Sequence, residues 1–328
     1  MTWLLLSLYS FSPADSCARM VTLEQIPEQA VLYAELASRQ GGDGPLLFGR
    51  MLELAGRFED AALVYQAALA SASDPLTGQW LRDRIRGVLP LDTILVLRAS
   101  VTNLGTTTAR GLLLVMPEPG SHPPYQRIDL LGGAFRADSG LLLCRLDSLP
   151  GGRSAVMPVF LHIVQRPFSF RPLPDSAGGF PLEALADVLR SVRIPDEYEG
   201  GGPCLSMSME AMRTAAADGI GLDVVGGIVR RGDSLVFHAW DVLREGIPGM
   251  PADPLLFKTD SLRAFGHCPT DVIPLWDMMA TGGHELSILF PEQEADLSIS
   301  LTAFFEPSFT NGWPFPPSAD APPKGDAR

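Results

Sequence analysis

The sequence predicts an α+β chain of several parts: a helical N-terminal segment, a run of short β-strands, and a segment that mixes helix with strand. Three observations carry this reading. Apolar residues recur at helical spacing as far as Leu89, short apolar runs broken by Gly, Pro and Asn follow from Pro90, and the two patterns alternate beyond Gly179. With 328 residues, 46% of them hydrophobic, the chain is long and apolar enough to bury more than one core. The expected parts are 1–20, a signal or extension; 21–89, helical; 90–165, strands; 166–180, a linker; 181–310, mixed; and 311–328, a disordered tail.

Thr2 to Phe11 is an apolar run too short to span a bilayer, and it lacks the basic flank of a secretory signal. Three readings stay open: an atypical signal, an upstream extension with the start at Met20, or a buried first helix. The expectation is a cytoplasmic protein, with export through the N-terminal segment as the alternative.

Ile26 to Gln40 has a helical pattern, which Gly41 to Pro45 breaks. Gly49, Gly56, Ala61, Tyr65, Ala68 and Pro75 then fall at the spacing of a tetratricopeptide unit, and the stretch resembles one such repeat, with Leu76 to Leu89 as a following helix. Its small residues would let two helices approach while the aromatic fills the gap between them. One unit is too few for a solenoid groove, so the expected role is a helical cap on the rest, with docking of a protein partner as the alternative.

The runs Thr93 to Thr102, Ala109 to Met116, Tyr125 to Leu131, Gly140 to Leu146 and Ala155 to Val164 predict an immunoglobulin-like β-sandwich. His122 and His162 fall here with no acidic or thiol partner at ligand spacing, and read as core or surface histidines. Pro, Gly and Ser between Arg166 and Gly179 predict the linker, and Pro181 to Val192 a helix.

The chemistry is expected between Gly200 and Leu255. Glycines and Pro203 precede Cys204, and apolar residues at Leu205, Met209, Met212 and Ala216 predict a helix that starts there. Unpaired N–H groups and the positive end of the helix dipole favour a thiolate at such a place. Gly219 to Val229 and Ser234 to Leu243 predict a hairpin turning at Arg230 to Asp233, with His238 in its second strand. Asp253, before Pro254, borders the next short apolar run, from which its carboxylate would fix the tautomer of His238. Taken singly, Cys204 would be a small buried hydrophobe and His238 a satisfied strand histidine. The ordered set is what points to nucleophilic catalysis.

These residues resemble the transglutaminase-like core, the papain-related superfamily of transglutaminases, peptide N-glycanases and bacterial peptidase-like proteins. The resemblance lies in the Gly-rich approach to Cys204, Gly219-Ile220, the strand at Val224 to Val229, His238-Ala239-Trp240 and Asp253-Pro254. It implies a papain-like transglutaminase core with Cys204 as nucleophile, His238 as base and acid, and Asp253 as orienter, acting on amide bonds of protein or peptide substrates. Departures at Leu205, Leu222-Asp223 and Met250 mean that substrate handling does not carry over. The alternative function is a non-catalytic scaffold that binds a partner through its helical and sandwich parts.

A net charge of −13 with no basic cluster excludes a nucleic-acid surface. Cys17, Cys144, Cys204 and Cys268 have neither zinc nor disulfide-framework spacing, and no calcium-loop pattern occurs, so no metal or organic cofactor is expected. His267-Cys268 is a second Cys/His pair, but adjacent residues in a strand point apart, which ranks it below Cys204 with His238.

Overall fold

The computed structural model describes residues 14, 27–170, 182–195, 202–278, 286–289 and 295–306. The expected signal or extension, Cys17, most of the linker and the tail lie outside them.

From residue 27 the described residues form four helices in succession: α1 (Glu28–Ser38), α2 (Gly44–Leu54), α3 (Phe58–Ser71) and α4 (Pro75–Val88). Each packs on the next around Ala34, Leu52, Ala61, Tyr65 and Leu81. A β-carbon at Gly49 would stand 2.4 Å from the Tyr65 ring, so glycine is what lets α2 and α3 close on the aromatic. Asp74 caps α4 by accepting from Thr77 N at 2.7 Å.

The strands β1 (Leu91–Asn103), β2 (Ala109–Pro117), β3 (Gln126–Gly133), β4 (Arg136–Asp138), β5 (Leu141–Leu149) and β6 (Ser154–Gln165) follow. Alternation of buried and exposed residues along β2 and β5 places Leu112, Leu114, Met116, Leu142 and Cys144 in one core with Leu95, Leu97, Val159 and Leu161 of β1 and β6. β7 (Phe168–Ser169) ties the start of the expected linker back to the chain. His162 is buried between Asp92, at 2.8 Å, and Asp129, at 3.6 Å. These acidic neighbours, unexpected from sequence, come from other strands.

The mixed segment holds α5 (Leu182–Ser191), α6 (Gly202–Ala217), the hairpin β8 (Leu222–Arg231) with β9 (Ser234–Leu243), β10 (Pro251–Ala252), α7 (Pro254–Phe257), β11 (His267–Cys268) and β12 (Val272–Asp277). Its antiparallel sheet runs β10-β9-β8-β12, with α6 across β8 and β9. Two last strands, β13 (Ser287–Leu289) and β14 (Leu297–Phe305), complete the chain.

Three expectations need correction. Residues 287–305, assigned to the mixed segment, return to the first strands: β14 pairs along β1 and β13 pairs with β2, giving sheets β14-β1-β6-β3 and β13-β2-β5-β4. The boundary at 165 therefore does not separate the strands. The buried stripe of α6 is Cys204, Met207, Ser208, Ala211 and Ala215, while Leu205, Met209 and Met212 are partly buried, because the helix lies between two cores and is apolar on both sides. Finally, β12 was not foreseen because Pro274 interrupts it. The proline sits at a register shift on an edge strand, where its missing N–H does least harm.

That edge is covered by side chains. Gln165 donates to the carbonyls of Pro269 and Val272, and Gln126 to that of Pro274 and to Gln165 Oε1, all at 2.7–3.1 Å. Two buried amides thus join the first strands to the mixed segment. The helices join it through Glu53, which is 1% exposed. Its carboxylate accepts from His267 Nε2 at 2.8 Å and Tyr65 OH at 2.9 Å, and pairs with Arg84 and Arg263. Arg50 and Arg84 also pair with Asp260.

The paired glycines of β8 allow close packing at the sheet centre. A β-carbon on Gly227 would stand 2.2 Å from Ile273 O and 2.7 Å from the Trp240 ring. Gly227→Ala is therefore expected to destabilise the protein by about 1–3 kcal/mol. Denaturant unfolding measures this, and an unchanged midpoint would refute the packing argument. Among the described residues, no helix is long and apolar enough to cross a membrane.

Candidate active site

Gly202, at φ +76°, turns the chain into α6, and Pro203 with its fixed φ occupies the first turn, so Cys204 falls in that turn. The cysteine is 8% exposed and faces the sheet. β10 pairs only with Asp241 and Val242, so β9 has no strand partner on that side from Ala239 backward. The N–H groups of Ala239 and Leu205 and the ring of His238 all reach the Cys204 sulfur.

Asp253 caps α7. One carboxylate oxygen accepts from Leu255 N and Leu256 N, both at 2.9 Å, and the other accepts from His238 Nε2 at 2.7 Å. With Nε2 committed to Asp253, Nδ1 is left for the sulfur. The imidazole is thus held on both sides, and the three predicted residues lie in one hydrogen-bonded row: Cys204, His238, Asp253. The backbone of Asp253 is held as well: Asp253 N donates to Ala264 O, Ala264 N donates to Asp260 O, and Asp260 belongs to the ion cluster reached by Arg50 and Arg84.

Electrostatics favour a charged pair. Burial opposes a thiolate at Cys204, but the hydrogen bond and charge of His238 and the two backbone N–H groups outweigh it and hold the thiol below its ordinary value. Burial likewise opposes an imidazolium at His238. The bonds to Asp253 and Cys204 prevail and raise the ring from 6.5 to about 9. The two groups titrate together, and between their transitions the pair is thiolate and imidazolium.

Cys144 and Cys268 are pushed the other way. Burial raises both, Cys268 to about 12, and Cys268 bonds the Tyr125 hydroxyl. His267 and Cys268 face different partners, Glu53 and Tyr125. Burial lowers His122 to about 4.

Sequence reasoning missed Asp241, three residues after His238 and fully buried. Burial, then the nearby charge of Asp253, pushes its carboxyl well above the usual range, against an opposing contribution from Ser208 on α6. An acid between Trp240 and Val242 in a buried strand was the available signal. Also missed was a cleft of about 450 Å³ beside His238 and Asp253, lined also by Trp80 and Arg84 of α4 and by Arg230 and Arg231 of the hairpin.

No family model matches the chain, and no curated protein matches its sequence. Among solved structures, it is similar to one titled "Putative Cysteine Protease from Cytophaga hutchinsonii", with a TM-score of 0.40 and 10% identity, over 66% of this chain and 93% of that one.

Proposed function

We propose that this chain is a cysteine-nucleophile enzyme of the transglutaminase-like superfamily, acting on amide bonds of proteins or peptides through a thioester. The observation that carries the proposal is the His238 ring bonded to Cys204 on one side and Asp253 on the other. In this reading the tetratricopeptide-like helices and the immunoglobulin-like strands frame the catalytic segment, and Asp253 orients His238.

The Cys204 thiolate attacks the amide carbonyl carbon, and N–H groups at the start of α6 offset charge on the oxyanion. The C–N bond breaks as the His238 imidazolium gives its proton to the departing amine, leaving an acyl thioester. Neutral His238 then takes a proton from water or from a second amine, which attacks the thioester and expels the thiolate. Water makes the enzyme a peptidase or amidase; an amine makes it an acyltransferase.

The test is the alkylation rate of each cysteine by iodoacetamide against pH, read by peptide mass spectrometry. Cys204 is expected to react well below the ordinary thiol range while Cys144 and Cys268 stay inert, and to lose that advantage in His238→Ala. Because the imidazolium is present below its raised value and lost above it, turnover should fall on the alkaline side with an apparent value near 9. An inert Cys204 would remove the proposal. Mass analysis of glutamine-containing peptides incubated with and without a primary amine then separates hydrolysis from transfer.

A further inference from the structure

The cleft beside His238 and Asp253 carries an imbalance of charge. Every acid on its wall has a cationic partner: Asp83 pairs with Arg86 at 3.2 Å, Asp253 with His238 at 2.7 Å, and Asp271 with Arg263 at 3.3 Å. Arg84 is taken by Glu53 at 3.4 Å. Arg230 and Arg231, consecutive at the end of β8 and both on the lining of the cleft, have no carboxylate within ion-pair distance among the described residues. Arg230 donates through Nε to Gly232 O at 3.3 Å and stands 5.3 Å from the centre of the Phe305 ring, while Asp233, Asp83 and Asp271 offset its charge only from beyond ion-pair distance. Burial, then repulsion from Arg86, makes this guanidinium less comfortable as a cation than in water, despite neighbouring acids. An anion in the cleft would relieve that cost.

We propose that the cleft is a subsite for a carboxylate borne by the peptide substrate near the scissile amide, held by Arg230 and Arg231 in the cleft that Trp80 also lines. This rests on the catalytic reading above and names the substrate class for it. Two guanidiniums present planar, forked donors that match a carboxylate. The chain as a whole carries a net charge of −13 and repels acidic peptides, so a local cationic pair inside a cleft directs such a peptide to one place. A side-chain carboxylate and a C-terminal carboxylate satisfy the same site.

The experiment measures binding to Cys204→Ala protein by calorimetry at low salt, so that it does not depend on turnover. Three short peptides serve as probes: one with an internal glutamate and blocked ends, its glutamine counterpart, and the glutamine peptide with a free C-terminal carboxylate. At least one carboxylate-bearing peptide is expected to bind about tenfold or more tightly than the blocked glutamine peptide, and which one identifies the source. Arg230→Gln/Arg231→Gln, and separately Arg231→Glu with its fold checked by circular dichroism, should remove the preference. Equal binding of all three peptides, no binding of any, or a preference that survives both variants overturns the proposal. Alkylation of Cys204 in the unaltered protein reads the thiolate independently. A carboxylate preference with an inert Cys204 keeps the subsite and sinks the catalytic reading, and a reactive Cys204 without the preference does the reverse.

Discussion

Asp253→Asn is expected to lower amide-bond turnover by about 10²–10⁴-fold while leaving the fold in place. The reason is that Asp253 performs two tasks with two equivalent oxygens, capping α7 with one and holding His238 Nε2 with the other. Asparagine has one oxygen and one amide nitrogen. If the oxygen keeps the cap, the amide N–H meets Nε2 and forces the proton to Nδ1, the nitrogen that must serve Cys204. If the oxygen turns to His238, the cap is lost, at about 1 kcal/mol. Either way the imidazolium loses its anion, and alkylation of Cys204 at neutral pH should slow together with turnover. Turnover and alkylation both matching the parent protein would show that Asp253 does not orient the ring.

The second large effect is on stability. Glu53→Ala leaves Arg84 and Arg263, both mostly buried, without their shared carboxylate, and strips His267 and Tyr65 of their hydrogen-bond acceptor. Arg84 keeps Asp260 and Arg263 keeps Asp271, so the expected cost is about 3 kcal/mol, the low end for breaking a buried ion pair. Chemical denaturation should show a loss of that order, and a loss under about 1 kcal/mol would place the cluster among ordinary surface pairs. The acid response follows from the same group. Burial alone would raise the Glu53 carboxyl, but Arg84, Arg263 and His267 hold it far below its ordinary 4.5. Its contribution is therefore present in full above that value and is lost as pH falls below it toward the lowered value. In the parent protein part of the acid-induced loss of stability should disappear with the substitution.

The candidate site was legible because its signals are local. Glycines before Cys204 and alternation through His238 report on a few neighbouring residues, and the helix and strand they predict carry these two side chains, whereas Asp253, expected beside a strand, follows β10 and caps the short helix α7 that its own pattern left open. What was not legible depends on partners distant along the chain. Glu53 in Met51-Leu52-Glu53-Leu54 looks like any helical acid until His267 and Arg263 close over it. The same holds for Gln126 and Gln165, ordinary polar ends of strands that turn out to satisfy the carbonyls of an edge strand. Leu297 to Phe305 was legible as a strand, but nothing in its own pattern says which sheet it joins. Period and composition fix how a segment folds locally; pairing across long intervals is decided by complementarity that one sequence does not display.

The pairing of β14 with β1 makes the whole segment bearing Cys204, His238 and Asp253 an insertion between two neighbouring strands of one sheet. A ribosome delivers the chain in order, so β1, β3 and β6 emerge well before β14, and the flank of β1 waits for residues made much later. Through that interval an unpaired row of backbone groups is open to any other nascent strand, and closure carries the entropic cost of a very long loop. The segment bearing Cys204, His238 and Asp253 has to emerge before its own frame is shut. Arrival of the β14 strand, rather than local collapse, is then the step that closes this sheet.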